Sequence, residues 1–123
     1  MKKIINKIFL TALLLASSVS FAQGMNKASL LNELNKTYGV TLSTEEKTYF
    51  ENANGTLVLE LVGLEQKNLS KENRNKEIDT LFDKRDKALT SSLGINKYSD
   101  IKSKSDAKTS ETIQKIKEAK ITP

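Results

Sequence analysis

The chain contains no cysteine, no histidine and no tryptophan, and its single proline is Pro123. Each absence removes a class of chemistry. Without imidazole or thiol there is no histidine base, no cysteine nucleophile, no zinc finger and no haem ligand. The missing cysteines also exclude disulfides, redox motifs and any lipid anchor that needs a thiol. No glycine-rich phosphate loop is built from the five glycines, which excludes an ATPase. A length of 123 residues is that of one domain. With no proline before position 123, helices are free to run.

What is present is most specific at the N-terminus. Lys2, Lys3 and Lys7 form a positive region, and Ile8 to Ala16 is a short apolar run. Ser20 and Ala22 then put small residues where a signal peptidase reads. The pattern predicts a cleaved Sec-type signal over 1–22, with cleavage after Ala22 and a periplasmic or secreted mature chain. The apolar run is about half the roughly 20 residues of a membrane span, so no transmembrane anchor is expected after cleavage. Removing 1–22 takes away three lysines and no acid, and the net charge of +5 falls to +2. Only Arg74 and Arg85 are arginines, acids are interspersed throughout, and no aromatic RNA-binding motif stands out. Nucleic acid is therefore not an expected partner, because phosphate binding wants a concentrated basic patch.

The remaining chain reads as helices. Asn26 caps a first helix over Lys27–Tyr38, with Gly39 placed to end it. Ser43 and Glu46 make a capping box for a second, from Thr44 to about Asn68. Its apolar stripe is Phe50, Ala53, Leu57, Leu61 and Leu64, flanked by Val58 and Val62. Asn54-Gly55 followed by residues 56–62 also reads as a turn and a strand. Helix is preferred, because no second strand-like run exists to pair with that segment. Ser70 caps a third helix over Lys71–Leu93 with Ile78, Leu81, Phe82, Leu89 and Leu93 on one face, and Gly94 stops it. Asn96 is the expected cap of a fourth piece over Lys97–Lys108, and a last segment runs to Lys120; the two could also be one bent helix. Residues 103–110 are the least ordered by this reading, being able to bury little. The expected fold is all-α: a small bundle or open cradle of three to five helices around a long antiparallel hairpin, residues 23–123 forming one domain.

Candidate sites are few, and no catalytic residue, cofactor or metal is implied. Glu45 and Glu46 are explained by capping rather than acid–base work. Glu77, Asp79, Asp83 and Asp86 alternate with Lys76, Lys84 and Lys87, which reads as a solvated, salt-linked face. A calcium loop would need glycine at its turn and ligands at alternate positions. Three Asn-X-Ser/Thr matches, at Asn35, Asn54 and Asn68, carry little weight in so asparagine-rich a chain. Tyr49, Phe50, Phe82 and Tyr98 are expected in the core or at its edge. A chain this short buries only somewhat over roughly 60% of its unfolded surface. Some of Leu57, Val58, Leu59 and Val62 is thus expected to stay open as a partner-binding or homodimer surface.

Arg85 falls in the middle of the third helix's apolar stripe. A hairpin closed at Leu69-Ser70 would set Ile78 against Leu61, Phe82 against Leu57 and Leu89 against Phe50, leaving Arg85 to face Asn54 and Gly55. The preferred reading has its stem covering the core while the head reaches water. The alternative is a charge-assisted hydrogen bond to Asn54 or Glu51 that sets the register.

Leu42-Ser43-Thr44-Glu45-Glu46 resembles the LTxxQ motif of the Spy/CpxP family of small periplasmic stress proteins, with Ser and Glu where that family has Thr and Gln. Asp83 to Leu93, then Ile95-Asn96-Lys97-Tyr98, is similar to the segment leading into the family's second motif, although Gly94-Ile95-Asn96 stands where Thr-Pro-Glu-Gln is usual. The resemblance covers residues 42–104. It implies a helical cradle, commonly dimeric, that holds partly folded protein clients without ATP. The competing expectation is a structural module docking to one envelope partner.

Overall fold

The computed structural model describes residues 26–121, and the expected signal peptide lies outside them. Four helices follow in order: α1 (Lys27–Leu34), α2 (Thr44–Leu64), α3 (Lys71–Leu93) and α4 (Ile95–Glu118). No strand occurs among the described residues. The segment 56–62 is helical, and its apolar residues join a common core instead of a sheet.

Local chemistry sets most boundaries. Asn26 Oδ1 accepts from Ser29 N–H at 2.7 Å, Ser70 Oγ accepts from Asn73 N–H, and Ser43 and Glu46 form the reciprocal capping box. The first helix is shorter than expected. It stops at Leu34 rather than Tyr38, because the Leu34 carbonyl accepts from the Asn54 side chain of α2. A continuing helix would need that carbonyl for Tyr38 N–H. Tyr38 and Gly39 instead take left-handed conformations in the connection to α2. The second helix also ends before Asn68: its chain leaves through turns in which Glu65, Gln66 and Lys67 N–H bond three residues back.

At the C-terminal end the structure adopts the single-helix alternative. The segments expected on either side of Ser110 are one helix of 24 residues, running straight through 103–110. Asn96 is not its cap; Gly94 alone separates it from α3. Small polar residues hold this helix because they satisfy themselves. Ser105 and Thr112 are buried, and their hydroxyls donate to the carbonyls of Lys102 and Lys108 in the preceding turn. On the outer face Asp100–Lys104, Lys102–Asp106 and Glu111–Lys115 pair at helical spacing.

α2 and α3 pack most extensively, antiparallel, with Glu60–Lys84 and Glu65–Arg74 bridging them at 3.1 and 2.6 Å. α4 turns back along α3, and α1 lies against α2. The apolar core has two parts. One joins Leu30 and Leu34 to Leu57, Val58, Leu61, Ile78, Phe82 and Ile116. The other gathers Phe50, Leu89, Leu93, Tyr98 and Ile101. At the closed end of the hairpin, Arg74 bonds Glu65 and also donates to the carbonyls of Lys117 and Ala119, tying down the end of α4. At the opposite end, Lys97 of α4 reaches Glu46 of the α2 capping box at 2.8 Å.

Two predictions follow from these junctions. Gly94 sits at φ 87, ψ 150, a conformation essentially reserved for glycine, whereas Gly63 is an ordinary helical residue. A Cβ meets no neighbour within 4 Å at either position. Gly94→Ala should therefore lose roughly 1–3 kcal/mol through backbone strain alone. Gly63→Ala should gain about 0.5–1 kcal/mol. Urea unfolding of the two variants measures both, and equal effects would show that strain at Gly94 is not what joins α3 to α4.

Acid should loosen the Glu46 junction. The hydrogen bond from Lys97, then that from Ser43 N–H, holds the Glu46 carboxyl below its ordinary value of 4.5. As pH falls below 4.5, the unfolded chain takes up a proton before the folded one does. Stability present above 4.5 is lost as pH falls through the lower folded value. Glu46→Gln should flatten that part of the acid-unfolding curve, and an unchanged curve would remove Glu46 as its source.

Candidate functional site

The two halves of the core are separated by a buried polar layer. Asn54 occupies a position on the core face of α2 and is 0% exposed. Its Nδ2 donates to Leu34 O and to Asn35 Oδ1, both at 2.9 Å, and its Oδ1 accepts from Arg85 Nη1 at 3.3 Å. The amide can only face this way, since a guanidinium offers donors and no acceptor. Arg85 is 9% exposed, and its head does not reach for water. Nη2 donates to Tyr98 Oη at 3.0 Å and to Asp86 Oδ1 at 3.2 Å, and the guanidinium carbon stands 5.6 Å from the centre of the Phe82 ring. Tyr98 in turn donates its hydroxyl proton to Asp86 Oδ1. All four helices, with Asn35 just after α1, contribute to one chain of hydrogen bonds.

Of the two readings of Arg85, hydrogen bonding to Asn54 is the one the structure adopts, and snorkelling is corrected. The reason is that α4 covers the place where the head would meet solvent, and Tyr98 supplies a polar partner there. Glu51 takes no part in the Arg85 hydrogen bonds. Asp86 is also corrected: it is a half-buried partner of Arg85 and Tyr98, with Lys102 3.9 Å from its other oxygen, and no member of a solvated face. Burial, outweighing every other influence, pushes the Tyr98 hydroxyl well above its ordinary value of 10.0. The phenol therefore keeps its proton at any physiological pH and holds the network in one arrangement.

On the outer side of this layer, α2 and α3 leave a groove of about 210 Å³. Ala53, Leu57, Leu81 and Ala88 line it, and the Glu60–Lys84 pair stands at its wall. Arg85 also contributes to its lining, so the buried network supports the groove. Small side chains leave the space open: alanines at 53 and 88 stand where larger residues would fill it. The sequence showed these alanines, but nothing in their spacing distinguished a groove from ordinary packing.

Of Leu57, Val58, Leu59 and Val62, some of which were expected to stay open, Leu59 and part of Val62 do, while Leu57 and Val58 belong to the core. Leu57 and Val58 are 3% and 1% exposed, and Val62 packs half-buried against the same core. Consecutive residues such as Leu57, Val58 and Leu59 point around a helix rather than to one side, and the inward ones are buried in the core. Leu59 is exposed, at 61%. Tyr49 is likewise no core residue; it is exposed, with its hydroxyl donating to Glu45. Among the described residues no group of three or more acidic side chains is placed to hold a metal ion, and no helix is long and apolar enough to cross a membrane. Comparison of the chain with models of protein families, with curated proteins and with solved structures finds no match.

The polar layer yields a mutational prediction. Asn54→Ala bares the Leu34 carbonyl and one Arg85 N–H, at roughly 1–3 kcal/mol for each buried group left unpaired. Glu51→Ala should change stability by no more than about 0.5 kcal/mol. Arg85→Lys, which loses the planar fork, should cost measurably less in the Asn54→Ala background than in the wild type. Additive losses in this cycle would show that the two residues are not coupled.

Proposed function

We propose that the protein is an exported, non-enzymatic binding protein that holds partly folded polypeptides without ATP, in the manner of the Spy/CpxP stress proteins that its motifs resemble. The observation that carries this reading is the α2–α3 groove: an apolar floor with a charged pair of opposite sign at its wall. A cavity of about 150 Å³ takes up a benzene, so a groove of about 210 Å³ suits one large apolar side chain of a client. Partly folded chains present such side chains one at a time, and mixed charge at the wall tolerates many flanking sequences. The absence of histidine and cysteine leaves no imidazole or thiol beside the groove, and its Glu60 carboxylate is paired with Lys84. Tyr98 and Arg85, the groups nearest to chemistry, are tied into the layer beneath it. The signal-like residues 1–22 support export to the periplasm.

Client breadth tests the reading. Residues 23–123 should suppress aggregation of several unrelated unfolded proteins at near-stoichiometric amounts. Ala88→Glu, at an exposed helical position in the groove, should leave the circular dichroism spectrum unchanged and weaken suppression severalfold. Failure to suppress any of them, together with capture of one folded partner from envelope extracts, would instead favour a docking module.

A further inference from the structure

On its inner side the polar layer borders a second, much smaller space. Two buried polar atoms among its lining residues have no protein partner. Arg85 has both terminal nitrogens engaged, yet its Nε–H meets no acceptor among the described residues. Glu33, in the last turn of α1, turns Oε2 to Lys36 Nζ at 2.8 Å, while its Oε1 is buried without a donor. Both residues line one cavity of about 10 Å³, together with Ser105 and Thr112 of α4. An unpaired guanidinium N–H and an unpaired carboxylate oxygen are each costly to bury, so two in one place call for a common partner.

We infer that this cavity is the binding site of a single structural water, which accepts from Arg85 Nε–H and donates to Glu33 Oε1. Size and charge select the ligand. A volume of about 10 Å³ is close to the least that holds one water. A cation would meet the guanidinium and an anion the carboxylate, whereas a water presents a lone pair to one and a proton to the other. Its second proton has acceptors at hand. The hydroxyls of Ser105 and Thr112 already donate to Lys102 O and Lys108 O, which leaves their oxygens free to accept. Three partners are ordinary for a buried water. The bridge would attach α1 to α3 and α4 at a point where no direct hydrogen bond joins them, and it extends the polar layer to a second residue of α1. It is independent of the groove and of any client.

The chain's two arginines make the test self-controlled, because Arg74 Nε donates directly to Glu65 Oε1 at 3.1 Å. With arginine ¹⁵N-labelled, both Hε protons should be protected from exchange, and only that of Arg85 should show cross-relaxation to a long-lived water. Glu33→Ala should abolish that signal and speed amide exchange in α1 severalfold while leaving Arg74 unchanged. A protected Arg85 Hε without a water signal would overturn the inference, since the space would then be dry or Glu33 would bond directly. An Arg85 Hε exchanging freely with bulk solvent would overturn it equally, because the cavity would then be open.

Discussion

Burying one guanidinium is the constraint on which this structure turns. An arginine inside a helical core costs several kcal/mol of desolvation unless its charge and its donors are met. Here the charge and the two terminal nitrogens are met by Asn54 on α2, Asp86 on α3 itself and Tyr98 on α4. Asn54 then spends its remaining donors on the end of α1. In the observed register the Asn54 amide oxygen stands opposite Arg85. A slip of one position on either helix would set the guanidinium against Ala53 or Gly55, whose side chains offer it no acceptor. The layer therefore works less as a source of stability than as a device that makes one packing acceptable and its neighbours costly.

The same layer bears on function. It divides the interior into two apolar clusters, and the groove beside it shares Arg85 with the layer. Leu57 and Arg85 reach the groove from residues whose positions the core already decides. The width comes from what is missing, namely bulk at Ala53 and Ala88. The proposed binding of client side chains would use this surface, with the buried layer beneath it and small side chains above. Oppositely charged Glu60 and Lys84 beside it favour no single sign of partner.

Much of the architecture was legible in the sequence, and the reasons differ from element to element. The capping box of Ser43 and Glu46 and the starts at Asn26 and Ser70 are contacts over three residues, so local spacing contains them whole. Gly94 was recognisable as a junction because few residues other than glycine reach a φ of 87. The pairing of Arg85 with Asn54 could be reached by folding the hairpin on paper, since both sit out of place in apolar stripes. Residues 103–110 misled, because low apolar content suggests disorder, while the hydroxyls of Ser105 and Thr112 bond within their own helix and can be buried on α3's side of the bundle. Leu57 and Val58 misled in the opposite direction: an apolar run says that burial will occur but not which neighbour provides it.

By itself the sequence determined the class of fold, the positions of three helix starts, the hairpin and its register, and the absence of thiol and imidazole chemistry. These are matters of periodicity, capping and composition, which act over a few residues or need no geometry at all. The tertiary structure alone decided where α1 stops, since the group that takes its last carbonyl lies 20 residues away on α2. It also decided that Tyr98 and Asp86 complete the layer around Arg85, and that an alanine-lined groove opens between α2 and α3. Those features depend on how three helices meet in space, and a charge in a core can choose its partners only once the helices have brought them within reach.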